Sequence, residues 1–115
     1  MNLLEQSLKI DAPSITENAG IIQFFEMAFE LGWKTLKDYF EVQGLNTKFP
    51  RETIKTAIEK DIIKDGDKWM EAMTDRNLTA HTYDEKTALK VTNDIKNKYF
   101  PLLKQLETFL SRIED

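Results

Sequence analysis

The chain of 115 residues has no cysteine, so neither a disulfide framework nor a thiolate metal site can organise it. It has a single histidine, which would leave a zinc centre dependent on carboxylates for almost all its ligands and argues against one. Long apolar runs are missing too; none reaches the roughly 18–20 residues of a membrane span. The start, Met1-Asn2-Leu3-Leu4-Glu5, has neither the basic region nor the small-residue cleavage site of a secretory leader, so a cytoplasmic location is expected. Basic excess is absent: a net charge of −4 excludes a broad nucleic-acid-binding surface and leaves room only for a small phosphate pocket. No segment alternates apolar and polar residues with period two, so no strand is predicted. Repeats, low-complexity tracts and linkers are likewise missing.

What remains is an ordinary soluble composition, 41% apolar and 31% charged, sized for one domain over 1–115. Leu3, Leu4, Leu8 and Ile10 suggest a short amphipathic helix that Pro13 interrupts. Ser14 with Glu17 reads as a capping box opening a long helix from about 15 to 43. Ile22, Phe25, Phe29, Trp33, Leu36 and Phe40 form one stripe on it, and Ile21, Phe24, Ala28 and Leu31 a second beside it. An apolar arc that wide predicts contact with two layers, the chain's own core and a second subunit. Gly44 suits the position just past the helix end. Pro50 suits a first helical turn, with Ile54, Ala57 and Ile58 inward. Asp65-Gly66-Asp67 reads as a turn with Asp67 as the next N-cap, because an EF-hand register starting at Asp61 puts Ile63 and Ala72 at ligand positions. A helix with Trp69, Met70 and Met73 inward then runs to Arg76. Asp84 is placed to cap another, with Ala88, Val91 and Ile95 inward. Tyr99-Phe100-Pro101 is expected to break it, Pro101 opening a last helix striped by Leu102, Leu103, Leu106, Phe109, Leu110 and Ile113. The prediction is an all-α bundle of about five helices.

The polar feature is Arg76-Asn77-Leu78-Thr79-Ala80-His81-Thr82-Tyr83. Arginine offers a rigid donor fork suited to phosphate, and histidine titrates near neutrality. On an unbroken helix Arg76 and His81 would lie about 140° apart, so convergence needs a helix end between them or two copies of the motif. Two readings stay open on spacing alone. Either the cluster binds phosphate and moves a proton, or Arg76 and Tyr83 are surface residues and His81 caps a helix end. Cleaving RNA through its 2′-hydroxyl needs a proton acceptor, a proton donor and a cation on the phosphorane. One histidine per chain then implies a symmetric homodimer with the motif at its axis. Lys34, Lys37 and Lys48 read either as a phosphate path or as a solvated face, and Glu30 as a group that hydrogen-bonds into the cluster. Glu30, Lys34 and Lys37 are therefore candidate substrate-binding residues. Glu26 and Glu30 lack the histidine partners of a carboxylate metal site. Trp33 and Trp69 sit on apolar stripes and are expected in the core or an interface.

Arg76-x4-His81-x-Tyr83 resembles the Arg-x(4–6)-His signature of the HEPN superfamily. Phe25 to Tyr39, Pro50 to Lys55 and Asp75 to Tyr83 resemble three blocks of the nucleotidyltransferase substrate-binding family, a likeness spanning about Ala19 to Tyr99. Two positions depart from it: a short N-terminal helix, and Phe49 where a serine cap is more usual. The resemblance implies an antiparallel helical bundle that forms a homodimer or a larger even assembly. It also implies a minimal nucleotidyltransferase partner, usually encoded alongside, in a toxin–antitoxin-like module. In related modules the HEPN member is a metal-independent ribonuclease silenced by AMP on the motif tyrosine. Carried over, Arg76 holds phosphate, Asn77 orients it, His81 does the acid–base work and Tyr83 accepts AMP, with no cofactor required. The alternative is a non-catalytic subunit that presents a nucleotide or polymer to the transferase, and a plainer one is a helical interaction module.

Overall fold

The computed structural model describes residues 2–9, 14–79 and 85–113, and among them there is no strand. The elements are α1 (Asn2–Ser7), α2 (Ile15–Val42), α3 (Pro50–Glu59), α4 (Gly66–Thr79), α5 (Glu85–Asp94), a π turn (Ile95–Tyr99) and α6 (Phe100–Ile113). The last three run on without a break, so the described chain forms five rods, an all-α bundle as the periodicity predicts.

Local chemistry sets most of the boundaries. Ser14 Oγ accepts from the Glu17 amide at 3.2 Å and the Glu17 carboxylate accepts from the Ser14 amide at 3.0 Å, so the expected capping box is complete. Gly44 closes α2 with φ +83°, a left-handed conformation that costs glycine little. Pro50 occupies the first turn of α3. Phe49, at its N-cap, makes no side-chain bond, and its ring is exposed. Glu52 instead reaches back to the Lys48 amide at 3.3 Å. One start differs from expectation. α4 begins at Gly66, so Asp67 lies inside its first turn, and the first helical bond runs from the Trp69 amide to the Asp65 carbonyl at 3.1 Å. The reversal before it relies on left-handed Asp61 and Asp65, both at φ 58°, a conformation aspartate tolerates better than most residues. Asp84 lies outside the described residues.

The expected break at Tyr99-Phe100-Pro101 does not occur. Proline has no amide hydrogen to donate. The helix accommodates it by widening: the Phe100 amide reaches back to the Ile95 carbonyl and the π turn absorbs the mismatch. That extra residue turns Tyr99 fully inward.

α2 is the axis of the core and packs against α1, α3, α4, α5 and α6. All six residues of its first stripe are buried, with Phe25, Leu36 and Phe40 at 0% exposure. Each large apolar side chain buried this completely contributes about 1.5–3 kcal/mol. Most of the second stripe is also taken up within the chain: Ile21 is buried and Phe24 and Ala28 pack on the core. Leu31 stays 68% exposed, and Met27 beside it 56%. α2 and the α5–α6 rod advance together, since Phe25 stacks on Tyr99 and Tyr39 meets Phe109 edge-on. Between these contacts lies Gly32, where an added Cβ would stand 3.1 Å from a Leu106 methyl, so glycine permits the close approach. α4 lies against the rod, Glu71 facing Lys98.

Candidate functional site

α4 delivers two neighbouring polar residues, Asp75 and Arg76, to two different helices. The buried Trp69 anchors the helix, its ring centroid 6.2 Å from that of Phe29 on α2. About two turns later, the Arg76 guanidinium stands 5.2 Å from the centroid of the same Phe29 ring, within cation–π range. Its Nη1 donates to Glu30 Oε2 at 2.8 Å. The other oxygen of Glu30 lies 3.4 Å from the Lys34 ammonium. The Arg76 side chain is 20% exposed and that of Glu30 42%. Burial pushes the Glu30 carboxyl up, but approach of the Trp33 indole, the Lys34 hydrogen bond and the charges of Arg76 and Lys34 outweigh it and hold the group below its ordinary range. The Trp33 N–H points toward this carboxylate without completing a well-formed hydrogen bond.

Asp75, about 100° around the helix, turns to the rod. Its carboxylate accepts a short hydrogen bond from the hydroxyl of the fully buried Tyr99, whose ring stacks on Phe25 with centroids 5.6 Å apart. Burial first, then the bond to Asp75 and the negative charges of Asp75, Glu71 and Asp94, drive the Tyr99 hydroxyl far above the ordinary tyrosine range. Lys98 donates to Glu71 at 3.2 Å and lies 3.7 Å from Asp94. The hydrogen bond to Glu71 and the charge of Asp94 raise its ammonium above the usual lysine range. Among the described residues one group of carboxylates converges closely enough to share a cation, Glu71, Asp75 and Asp94. The Lys98 ammonium and the Tyr99 hydroxyl already engage all three.

Of the residues singled out in the sequence, Arg76, Glu30 and Lys34 are brought together. Lys37 takes no part in their contacts, and Asn77 belongs to α4 with its side chain outside the described set. His81 and Tyr83 lie outside the described residues. Trp33 and Trp69 are core residues, as expected. Two features escape sequence reasoning: the Phe29 ring under Arg76, and the Tyr99–Asp75 bond. The only sequence signal for the second is a tyrosine four residues after Ile95 on the inward stripe, and it names no partner.

The Arg76–Glu30 contact joins the α2 block to the α4 motif, and known proteins match over both. The family model described as nucleotidyltransferase substrate binding protein like matches residues 1–112. The probable ribonuclease HepT of Haemophilus influenzae is 33% identical over 87 residues, 69% of this chain and 60% of that protein, so the chain spans three-fifths of that curated relative's length. A crystal structure of a Thermus thermophilus protein superposes with a TM-score of 0.85 at 32% identity, covering 93% of this chain and 92% of the other. The chain therefore belongs to the nucleotidyltransferase substrate-binding-protein-like family, within the HEPN superfamily.

Proposed function

We propose that this protein is a metal-independent endoribonuclease acting as a cytoplasmic homodimer. In this reading it is controlled by a minimal nucleotidyltransferase encoded beside it, which attaches AMP to Tyr83 in a toxin–antitoxin-like module. The observation that carries the reading is the Arg76 guanidinium, four-fifths buried and held by Glu30 and Phe29 on the helix that leads toward His81 and Tyr83. A cation fixed in advance stabilises charge developing on a phosphorane without reorganising during the reaction. His81 of one copy takes the proton of the ribose 2′-hydroxyl and the 2′-oxygen bonds to phosphorus. The bond to the 5′-oxygen then breaks as the protonated His81 of the second copy gives that oxygen its proton. Asn77 orients the phosphate, and no cofactor enters. Exposed Met27 and Leu31 sit one turn from Glu30 and Lys34 on α2 and offer the second copy an apolar surface beside the site. AMP on Tyr83 would add bulk and negative charge where the RNA phosphate must bind.

The test is RNA cleavage and intact mass on one preparation, made alone and with the nucleotidyltransferase. The lone protein should cut RNA in chelator, His81→Ala should not, and co-expression should add the mass of AMP and stop the cutting. Intact RNA with the lone wild type sinks the reading. A second reading, a subunit that presents a nucleotide without cutting, is favoured by one observation: Glu30 already engages the guanidinium that a scissile phosphate would need. It predicts nucleotide binding that Arg76→Ala weakens, with no cleavage.

A further inference from the structure

Glu30 touches two cations at once, and they are mounted differently. Arg76 lies on Phe29 with its side chain 20% exposed, whereas Lys34, one turn along α2, has a side chain 59% exposed. The carboxylate between them is itself open to solvent at 42%. It meets Arg76 with one oxygen and Lys34 with the other. A phosphate oxygen presents the same kind of acceptor to a guanidinium as a carboxylate oxygen does. It could replace Glu30 on Arg76 without disturbing the packing beneath.

We infer that Glu30, Lys34 and Arg76 form an exchangeable phosphate subsite: Glu30 stands in for the phosphate in the free protein and retreats onto Lys34 when a phosphodiester takes Arg76. The inference rests on the reading of Arg76 as the phosphate-holding residue. Lys34 favours the exchange, because the displaced carboxylate keeps a cation 3.4 Å away. Glu30 also sets which phosphate fits. The trio carries one formal positive charge, which a phosphodiester monoanion balances. A dianionic phosphate would leave excess negative charge facing the carboxylate. Glu30 is thus a positioning and specificity-determining residue, not one that moves protons.

The experiment is a calorimetric titration of the full-length chain at low salt, with a short RNA carrying a 2′-O-methyl group at every position, so that it cannot be cut, and with inorganic phosphate. Glu30→Gln keeps an oxygen to accept from Arg76 and removes the competing charge. It should bind the RNA about two- to fivefold tighter than wild type, with a larger gain for inorganic phosphate. Lys34→Ala should weaken RNA binding more in the wild-type background than in the Glu30→Gln background, because only in the former does Lys34 receive the displaced carboxylate. Circular dichroism checks that each variant folds. Binding by Glu30→Gln with none by wild type supports a masked subsite. Equal or weaker binding by Glu30→Gln, binding by neither protein, or a Lys34→Ala effect identical in both backgrounds overturns it. Wild type that binds but never cuts cleavable RNA refutes the nuclease reading alone and leaves the subsite standing.

Discussion

Asp75 and Arg76 are adjacent in sequence, yet their contacts are of opposite kinds. Asp75 joins the hydroxyl of a fully buried tyrosine inside the junction of α4 with the rod. Arg76 joins a carboxylate that is 42% exposed and already shared with a lysine. The tyrosine side of the first contact is closed off by the core, and the bond serves to fix the rotation of α4 against the rod. The second is open, has a substitute partner built in and is suited to exchange. A polar contact in this fold is held fast where the aromatic core covers it and open to exchange where solvent reaches it.

The comparison breaks most severely at Tyr99. Tyr99→Ala removes the ring stacked on Phe25 and strands Asp75, so it should lower stability by about 3–5 kcal/mol in a denaturant titration. Arg76→Ala should do the reverse. Unfolding should move less, by about 1–2 kcal/mol, whereas RNA cleavage falls about a hundred- to a thousandfold, as for loss of one preorganised donor to a developing oxyanion. If Arg76→Ala destabilises as much as Tyr99→Ala, the distinction between a sealed and an open contact is wrong.

Tyr99→Phe sharpens the sealed side. It keeps the stack and loses a hydrogen bond to a charged group, about 1.5–3 kcal/mol at neutral pH. The folded Tyr99 hydroxyl titrates above its unfolded value of 10.0. The stability it contributes is therefore complete below pH 10 and is lost as pH rises toward the folded value, because the unfolded chain ionises first. The gap between wild type and Tyr99→Phe should accordingly narrow above pH 10, and a gap that widens there contradicts the assignment. The smallest effect belongs to the open side. Glu30→Gln should shift stability by no more than about 1 kcal/mol. Because the Glu30 carboxyl is lowered from 4.5 in the fold, that contribution is present above pH 4.5 and disappears as pH falls through the lower folded value. Thermal melts of the two proteins should converge in acid.

Much of this molecule can be read from its residues one helix at a time. Ser14 and Glu17, Pro50 and Gly44 act on backbone groups within a few positions, so they mark helix ends without reference to the rest of the fold. The buried stripe of α2 follows from the same locality. Pro101 shows the limit. Its missing amide predicts a break, but Ile95, Tyr99, Leu102 and Leu103 all gain burial by continuing the rod, and a π turn costs less than exposing them. The wide apolar arc of α2 is mostly covered by five neighbouring helices, and Met27, Leu31 and Val42 on that helix stay exposed. Arg76 could be singled out by residue type, whereas Glu30 as its partner rested on chemistry without geometry.

The sequence by itself determined the helical class, most of the helix boundaries, most of the inward-facing residues, though not Ile113, and the motif that marks the family. All of these depend on periodicity and on bonds within a few residues. Only the tertiary structure decided which helices meet: that α2 and the rod advance together, that Tyr99 seals Asp75, and that Arg76 lies between Phe29 and Glu30. A helical pattern specifies the side a residue faces. The neighbour it finds there, 46 residues away in the case of Glu30 and Arg76, is chosen by how the whole set of stripes can be buried at once.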